Sequence, residues 1–385
     1  MLIRNLKTEL LKINLKEEDK MKLSLSTAKL KDMVTRASKG VGNNKLIPIT
    51  SLMAIELKDN ALTLITTDAT NYLYIREDKV VGDDFYVVVD ADTISKLVSR
   101  MTCDTVTLEV KTDAVLSVKG NGNYKIELPL DENGEPIKYP DPYAQLRETI
   151  ADVGVINRST IQVILDTIKP ALATTLENPC YTGYYVGENV VATDTYKIAS
   201  MNVKLFDVPR LISAELMNLL SVINEEKIQV SISDNSVIYS TPTCRIVGKF
   251  MEGVEDYSID AIMELVNTEY DSHCSIPKSA ILQLLDRLSL FVGTYDKNAI
   301  FLTFTRDGLQ VSSKAANGVE IINYVSSDNF KDFTCPVDIQ MLTQEVKAIQ
   351  SDVVDLYYGE DNAIKMVDGN ITIIVALLED DAIDE

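Results

Sequence analysis

The sequence predicts an α+β protein of three similar domains, each built from two units in which one helix is followed by three or four antiparallel strands. One helical pattern recurs six times along the chain, strand-like segments fill the intervals, and a Thr-Asp hairpin is repeated. The 385 residues are enough for two or three domains. Because two units make about 120 residues, six units predict three domains.

The Thr-Asp hairpin follows the runs Leu64–Thr66 and Val190–Ala192, and a weaker third copy spans residues 309–315. Each run is rich in β-branched residues and leads through Thr-Asp and a polar turn into a second short strand, which predicts strand–turn–strand. Asp68 and Asp194 are predicted to accept hydrogen bonds from the turn backbone.

Six segments carry apolar residues near positions i, i+3, i+4 and i+7, the spacing of an amphipathic helix, and the sixth is the loosest. Start signals precede four of them, namely Ser26 or Thr27, Asp90, Ser159 and Pro277. The six predicted stripes are Leu30, Met33, Val34 and Ala37; Ile94, Leu97, Val98 and Met101; Ile161, Ile164, Leu165 and Ile168; Leu216, Leu219, Leu220 and Ile223; Ile281, Leu284, Leu285 and Leu288; and Ile339, Leu342, Val346 and Ile349.

Shifts in composition predict the domain boundaries. The stretch Asp131–Pro142 is rich in proline, glycine and acid, as linkers are. The stretch Asp256–Ser275 separates the second and third domains less sharply, and Glu379–Glu385 is an acidic tail. The predicted organisation is an N-terminal extension at 1–20, domain 1 at 21–146, domain 2 at 147–268, and domain 3 with the tail at 269–385.

The N-terminal extension looks appended to the first domain. The run Lys16–Lys20 can be encoded by a purine-rich stretch that resembles a bacterial ribosome-binding site. We therefore expect Met21 to be the start of the native protein.

Composition argues against several classes of protein. The apolar runs are shorter than the roughly 18 residues of a membrane span, and the N-terminus lacks the apolar core of a signal peptide, so we expect a cytoplasmic protein. The five cysteines are scattered without a C-x-x-C pair, which indicates reduced thiols and no zinc site. His273 lies beside Cys274, but such a pair cannot close a metal site, and a Cys–His nucleophile needs a third orienting group. No metal or cofactor is expected.

The net charge of −21 argues by itself against binding to a nucleic-acid backbone. However, most of the predicted helices carry more than their share of cations, whereas the linkers, hairpins and tail hold most of the acid. A solvated polar face explains the cations of any one helix, but the bias across several equivalent helices indicates a shared basic surface. The fourth helix, Glu215–Ile223, has no cation and weakens the pattern.

Several segments in a fixed order resemble one known family. They are Met21–Leu25 at the start of domain 1, Leu46–Ile49 before a strand, Thr67-Asp68, Val191–Asp194, and Gly253 followed by Asp256-Tyr257. From Met21 to Leu378 the chain resembles the β sliding clamp of bacterial DNA polymerase III, and its divergence and acidic tail suggest a phage or plasmid version.

The resemblance implies the DNA clamp fold and a head-to-tail homodimer that closes into a ring. Sheets would lie outside, and twelve helices would face a hole through which duplex DNA passes without base readout. The implied function is a non-enzymatic processivity factor in DNA replication, with DNA polymerase and a clamp loader as partners. The cations expected to face the DNA are Arg36, Lys39, Lys45, Arg100, Lys169 and Arg287.

The resemblance also implies two protein-contact sites. The subunit contact would join Leu290 and Phe291 of one copy to Tyr124 and Ile126 of the next. A cleft between domains 2 and 3 would take short peptides, with Lys197 at its rim pairing with an acidic residue. The matching cleft positions are Tyr181, Thr193, Thr195, Tyr196, Ile198, Ile374, Val375, Leu377 and Leu378.

The chain departs from the family at this cleft. Thr195–Ile198 stands where the family has Gly-His-Arg-Leu, and Val375–Leu378 replaces its C-terminal Met-Pro-Met-Arg-Leu. Because side chains alternate along a strand, Ile374 and Val375 face opposite ways, and only one of them can line a cleft.

Two other classes of function stay open at this level. An enzyme would need paired groups, but Asp68 and Asp194 occupy equivalent positions in different domains and should lie far apart. An acidic, β-rich phage structural protein, or a decoy that mimics DNA, would also fit the repeats and the charge. A decoy should carry acid on its helices, whereas here the helices carry cations.

Overall fold

In the computed structural model, the structure describes residues 21–111, 114–139, 151–293, 297–314, 317–326, 330–359 and 363–378. The N-terminal extension at 1–20 and the acidic tail at 379–385 lie outside the described residues, as does the end of the predicted linker. The α-helices in the described part are α1 (Thr27–Ala37), α2 (Ala91–Ser99), α3 (Arg158–Val163), α4 (Ala214–Leu219), α5 (Ile259–Asn267), α6 (Lys278–Leu288) and α7 (Ile339–Ala348).

Strands make up most of the remaining regular structure. The first thirteen are β1 (Met21–Ser26), β2 (Leu52–Lys58), β3 (Ala61–Thr67), β4 (Tyr72–Asp78), β5 (Phe85–Asp90), β6 (Thr105–Lys111), β7 (Val115–Lys119), β8 (Asn123–Glu127), β9 (Ala151–Asn157), β10 (Gly183–Val186), β11 (Val190–Thr193), β12 (Lys197–Met201) and β13 (Arg210–Ser213). The others are β14 (Lys227–Ile232), β15 (Ser236–Ser240), β16 (Cys244–Lys249), β17 (Ser272–Pro277), β18 (Ala299–Thr305), β19 (Gly308–Ser313), β20 (Val319–Ile322), β21 (Val325–Ser326), β22 (Phe333–Asp338), β23 (Val353–Tyr358), β24 (Ala363–Asp368) and β25 (Ile371–Ala376).

The six predicted apolar stripes each start in an α-helix and bury most of their side chains, and the last residue of three stripes lies just beyond the helix. The third stripe continues from α3 into a π-helical turn at Ile164–Ile168. Ser26 and Asp90 cap α1 and α2 by accepting from the backbone N–H groups of Lys29 and Thr93, at 3.3 and 2.7 Å. The prediction that Ser159 caps the third helix was wrong, because α3 already begins at Arg158.

The chain divides into two units. The first unit holds the described residues up to Arg158 together with Leu219–Lys249, and the second holds Ser159–Asn218 together with the described residues from Phe250. The strands of the predicted second domain are therefore divided between the two units. Strands β9 and β14–β16 lie in the first unit, and β10–β13 lie in the second. The three-domain boundaries themselves stay a prediction.

In the first unit, α1 and α2 pack side by side, and α1 contacts strands of two sheets. One sheet has the order β1-β6-β7-β8, and the other β5-β2-β3-β4-β16-β15-β14-β9. In the larger sheet β4 pairs antiparallel with β16, so strands from the first and second predicted domains form one continuous sheet. Tyr139, from the predicted linker, packs on this sheet and donates its hydroxyl to the Leu52 carbonyl at 2.6 Å.

In the second unit, α6 and α7 pack together and contact strands of two further sheets. The sheet orders are β20-β19-β18-β22 and β13-β10-β11-β12-β25-β24-β23-β17-β21. Here β12 pairs antiparallel with β25, with Ile198 opposite Ile374, so strands of the second and third predicted domains are also continuous. No helix in the described parts of either unit is long and apolar enough to span a membrane.

Candidate functional surfaces

The two Thr-Asp hairpins have the same hydrogen-bonded geometry, as the repeat predicted. Asp194 accepts from the backbone N–H groups of Tyr196 and Lys197 at 3.0 and 2.8 Å, while Thr193 donates its hydroxyl to the Lys197 carbonyl at 2.7 Å. Asp68 and Thr67 make the equivalent bonds in the first hairpin. Both carboxylates therefore shape turns, which confirms their predicted structural role.

Lys197 does not lie at the rim of a cleft, contrary to the prediction. Its side chain is buried and donates to the Pro170 carbonyl at 2.7 Å and to the Gln344 side chain at 3.0 Å. Its ammonium also lies 3.3 Å from a carboxylate oxygen of Glu345 on α7. Burial raises the pKa of Glu345 to about 7, against the opposing attraction of Lys197. The lysine therefore anchors the hairpin to α7.

Two predicted cleft residues lie in an apolar cluster rather than on an open surface. Ile198 and Ile374 are buried against Ile262 and Val266 of helix α5. Tyr181 lies at the edge of the same cluster, where its ring meets Tyr257 edge-on at 5.0 Å. The structure thus brings together Tyr181, Ile198 and Ile374, but α5 covers the two isoleucines.

The other predicted cleft residues divide into buried and accessible groups. Val375 is fully buried opposite Lys197, on the sheet face that meets α7, and Thr193 is buried within the hairpin. Tyr196 is 61% exposed at the hairpin tip beside exposed Thr195. Leu377 and Leu378 are half-buried after the end of β25. Among the predicted cleft residues, the accessible apolar side chains are therefore Tyr196 and the two leucines.

Helix α5 was missed at the sequence level, because the stretch Asp256–Ser275 was interpreted as a domain boundary. The signal was present, since Ile259, Ile262, Met263 and Val266 have the same i, i+3, i+4, i+7 spacing as the predicted helices. A cavity of about 640 Å³ opens beside the N-terminal end of α5, lined by Tyr185, Tyr257 and Ile259 among others.

Three of the predicted DNA-facing cations in the first unit are exposed. They are Lys39 just after α1, Lys45 in the following loop, and Arg100 just after α2. Arg36 differs, because its side chain is 11% exposed and donates to the Val222 carbonyl at 2.9 Å and to the Thr243 hydroxyl at 3.2 Å. Arg36 therefore holds structure together, and the prediction that it faces DNA is corrected.

The second unit holds the remaining two predicted cations. Lys169 is exposed and donates to the Asn218 side chain at 2.8 Å. Arg287, on α6, forms a two-bonded ion pair with Glu320 of β20, at 2.8 and 2.6 Å. Since that pair offsets its charge, Arg287 is the weaker candidate for a phosphate contact.

Each unit has a four-stranded sheet that ends in an edge strand near predicted contact residues. In the first unit, β8 carries exposed Tyr124, whereas Ile126 is buried and does not reach the surface. In the second unit, β20 lies near Phe291, which contacts Gly318, and Leu290 and Phe291 are 81% and 52% exposed. Val319 and Ile321 of β20 are also exposed and were not predicted. Their alternation in a short strand was the available signal.

His273 and Cys274 do not form a nucleophilic site. His273 stacks on Tyr357 with ring centroids 5.1 Å apart, and Cys274 is buried in β17. Burial raises the pKa of the Cys274 thiol to about 12, so this thiol is protonated at neutral pH.

Sequence comparison finds a match for the N-terminal part of the chain. Residues 21–135 match the family model for the N-terminal domain of the DNA polymerase III beta subunit. No curated relative matches the chain by sequence.

Structural comparison extends over most of the chain. The beta subunit from Streptococcus pyogenes DNA polymerase matches with a TM-score of 0.81 at 14% identity, over 93% of this chain and 100% of that one. The sliding clamp of Bacillus subtilis matches with a TM-score of 0.78 at 16% identity, over 93% of this chain and 99% of that one. A putative DNA polymerase III beta subunit from Eubacterium rectale matches with a TM-score of 0.78 at 19% identity, over 94% of this chain and 100% of that one. The predicted resemblance and the clamp fold are confirmed.

Proposed function

We propose that this chain, which has the sliding-clamp fold and matches the DNA polymerase III beta family over residues 21–135, is a sliding clamp. Two copies close head to tail around duplex DNA and tether a replicative DNA polymerase, with a clamp loader opening the ring. The protein acts as a non-catalytic accessory subunit in the cytoplasm. The observation that carries the proposal is the fold match over 93% of the chain.

The edge strands support ring closure. An unpaired edge with exposed apolar side chains is a template for pairing with another chain. We assign β8 of one copy and β20 of the next to one antiparallel contact, with Leu290 and Phe291 beside it. A cavity of about 450 Å³ on the first unit lies beside Tyr124, with Leu97 and Met101 in its wall together with polar and charged side chains that include Arg100.

The exposed cations support a contact with DNA that reads no sequence. Lys39, Lys45, Arg100 and Lys169 are long, exposed side chains at helix ends and in adjoining loops, which suits contacts to phosphates rather than to base edges. The excess of acid elsewhere on the chain would keep DNA from adhering outside the ring. The alternative of an acidic structural or DNA-mimic protein finds no support in the comparisons.

Retention on topologically defined DNA tests the proposal. The protein, loaded with a clamp loader onto nicked circular duplex, should remain bound at moderate salt and should be lost once the circle is cut. Light scattering should give the mass of a dimer. A monomer at micromolar concentration, or equal retention on circular and linear DNA, would contradict the ring.

A further inference from the structure

Helix α5 lies directly over the part of the sheet where the partner cleft was predicted. Ile262 and Val266 project from one side of this helix onto Ile198 of β12 and Ile374 of β25, and Ala363 of β24 completes the contact. These are apolar contacts between aliphatic side chains. The partner-facing surface of the sheet is thus occupied by a segment of the same chain.

The outer side of α5 is polar and exposed. Asp260 and Glu264 are exposed, and so is Leu265. A helix of nine residues is marginal in isolation, so α5 keeps its conformation mainly through packing on the sheet.

In the part of the chain that the structure describes, the polar bonds from the sheet to α5 lie at the C-terminal end of the helix. Lys365 of β24 donates to the carbonyls of Val266 and Thr268 at the end of the helix, both at 2.8 Å. At the other end, among the described residues, no side chain caps the helix at Ser258. Upstream, Gly253 adopts a left-handed conformation with φ of 85°, which glycine reaches without strain and which lets the chain turn sharply before the helix.

We propose that α5 is a displaceable cover on the partner cleft, and that a partner segment binds by replacing it. This inference rests on the proposed clamp function. The displacing segment is an apolar peptide that presents two branched aliphatic side chains in place of Ile262 and Val266. The cavity beside the N-terminal end of α5 gives it access, because Tyr185 and Tyr257 belong both to the cavity wall and to the covered cluster.

The cover would set the affinity of the site. A helix tethered in cis acts at a high effective concentration, so a free peptide competes against it and binds more weakly than to the bare sheet. Only a partner with strong apolar anchors, or one that first contacts exposed Tyr196, would open it. Such a cover would discriminate against weak, non-cognate peptides.

Hydrogen exchange on the unmodified dimer is the first test. If α5 opens locally, its backbone amides should exchange at least about tenfold faster than those of β25. Changing Lys365 to Met should increase the difference, because it removes the two bonds at the helix end. Exchange of α5 and β25 at the same rate would overturn the proposal, since α5 would then open only with the whole unit.

Binding of the helix sequence in trans is the second test. The probe is a fluorescein-labelled peptide of residues 258–268, and the variant is Ile262→Asp with Val266→Asp, which should release the cover. The peptide should bind the variant at least about tenfold more tightly than the wild type. The matched control, Glu264→Ser with Asn267→Ser, changes the exposed side and should bind like the wild type.

Each other outcome of the second test is also decisive. A folded double variant that binds the peptide no better than the wild type would overturn the proposal. A double variant that unfolds would show that α5 is a core helix, which also overturns it. Because neither test uses DNA or a polymerase, failure of the clamp function and failure of the cover can be told apart.

Discussion

The ammonium of Lys197 lies 3.3 Å from a carboxylate oxygen of Glu345, although both side chains are buried. Lys197 is in the Thr-Asp hairpin and Glu345 is on α7, so the pair ties the second predicted domain to the third within one unit. Burial of the Glu345 carboxyl outweighs the attraction of Lys197, so the pKa of Glu345 is raised to about 7. The folded state therefore favours the protonated form of Glu345.

Stability should fall as pH rises through the range in which Glu345 ionises. The folded-state pKa of Glu345 is raised to about 7, above the ordinary glutamate value, so the folded state binds more protons between roughly pH 4.5 and 7. The free energy of unfolding should therefore decrease across that range, by about 3 kcal/mol at most from this group, and then level off. Urea unfolding at pH 5 and pH 8 measures the change. Glu345→Gln should reduce this slope, whereas Glu264→Gln at an exposed position should leave it as in the wild type.

Charges at the proposed subunit contact should dissociate the dimer. Leu290→Lys with Phe291→Glu places two charges where apolar side chains are exposed on one copy and would be buried between two. Each substitution loses on the order of 2 kcal/mol of the free energy gained by burying an apolar side chain, and the new charges add a desolvation penalty. Sedimentation should show a monomer with an unchanged melting temperature. Leu176→Lys, at an exposed site in the second predicted domain, should stay dimeric; a dimeric double variant would place the interface elsewhere.

Ile321→Lys tests the β20 part of the same contact, which sequence reasoning missed. Ile321 is exposed in the single copy, so the change should have little effect on the folding of the subunit. It should weaken the dimer in sedimentation because Ile321 would face the neighbouring copy. Unaltered dimerisation would exclude β20 from the interface.

Neutralising the exposed cations should weaken DNA retention without changing the fold. The variant changes Lys39, Lys45, Arg100 and Lys169 to Gln. Each lost phosphate contact should reduce the slope of log affinity against log salt concentration by about 0.9. Losing up to about four contacts should therefore make the affinity depend much less steeply on salt. Lys58→Gln, at the exposed end of β2, serves as the control. An unchanged slope in the fourfold variant would show that these side chains face away from DNA.

Arg36 should behave as a structural residue rather than a DNA ligand. Arg36→Ala leaves the Val222 carbonyl and the Thr243 hydroxyl without their guanidinium donor, which should cost about 1–3 kcal/mol of stability. The salt slope of DNA retention should stay as in the wild type. Denaturant unfolding and filter binding on the same preparation separate the two effects, and a changed slope with intact stability would reverse the assignment.

The accessible part of the partner surface should affect processivity alone. Tyr196→Ala with Leu377→Ala removes an exposed ring and a half-buried leucine, so stability should change little while polymerase processivity falls. The comparison variant, Ile198→Ala, truncates a buried side chain and should lose about 2–5 kcal/mol of stability. If the Tyr196 and Leu377 variant loses stability in step with processivity, these residues belong to the core.

The sequence by itself determined the repeating elements of this protein. The six apolar stripes, the Ser26 and Asp90 caps and the Thr-Asp turns depend on residues a few positions apart, so local spacing was sufficient to predict them. Tertiary structure decided which side chains stay accessible. Lys197 is buried beside Glu345 and Pro170. Arg36 donates hydrogen bonds to Val222 and Thr243. Helix α5 covers Ile198 and Ile374. Each of those partners is distant in sequence, and burial and charge pairing follow from which distant segments the fold brings into contact, a property that no local pattern of residues contains.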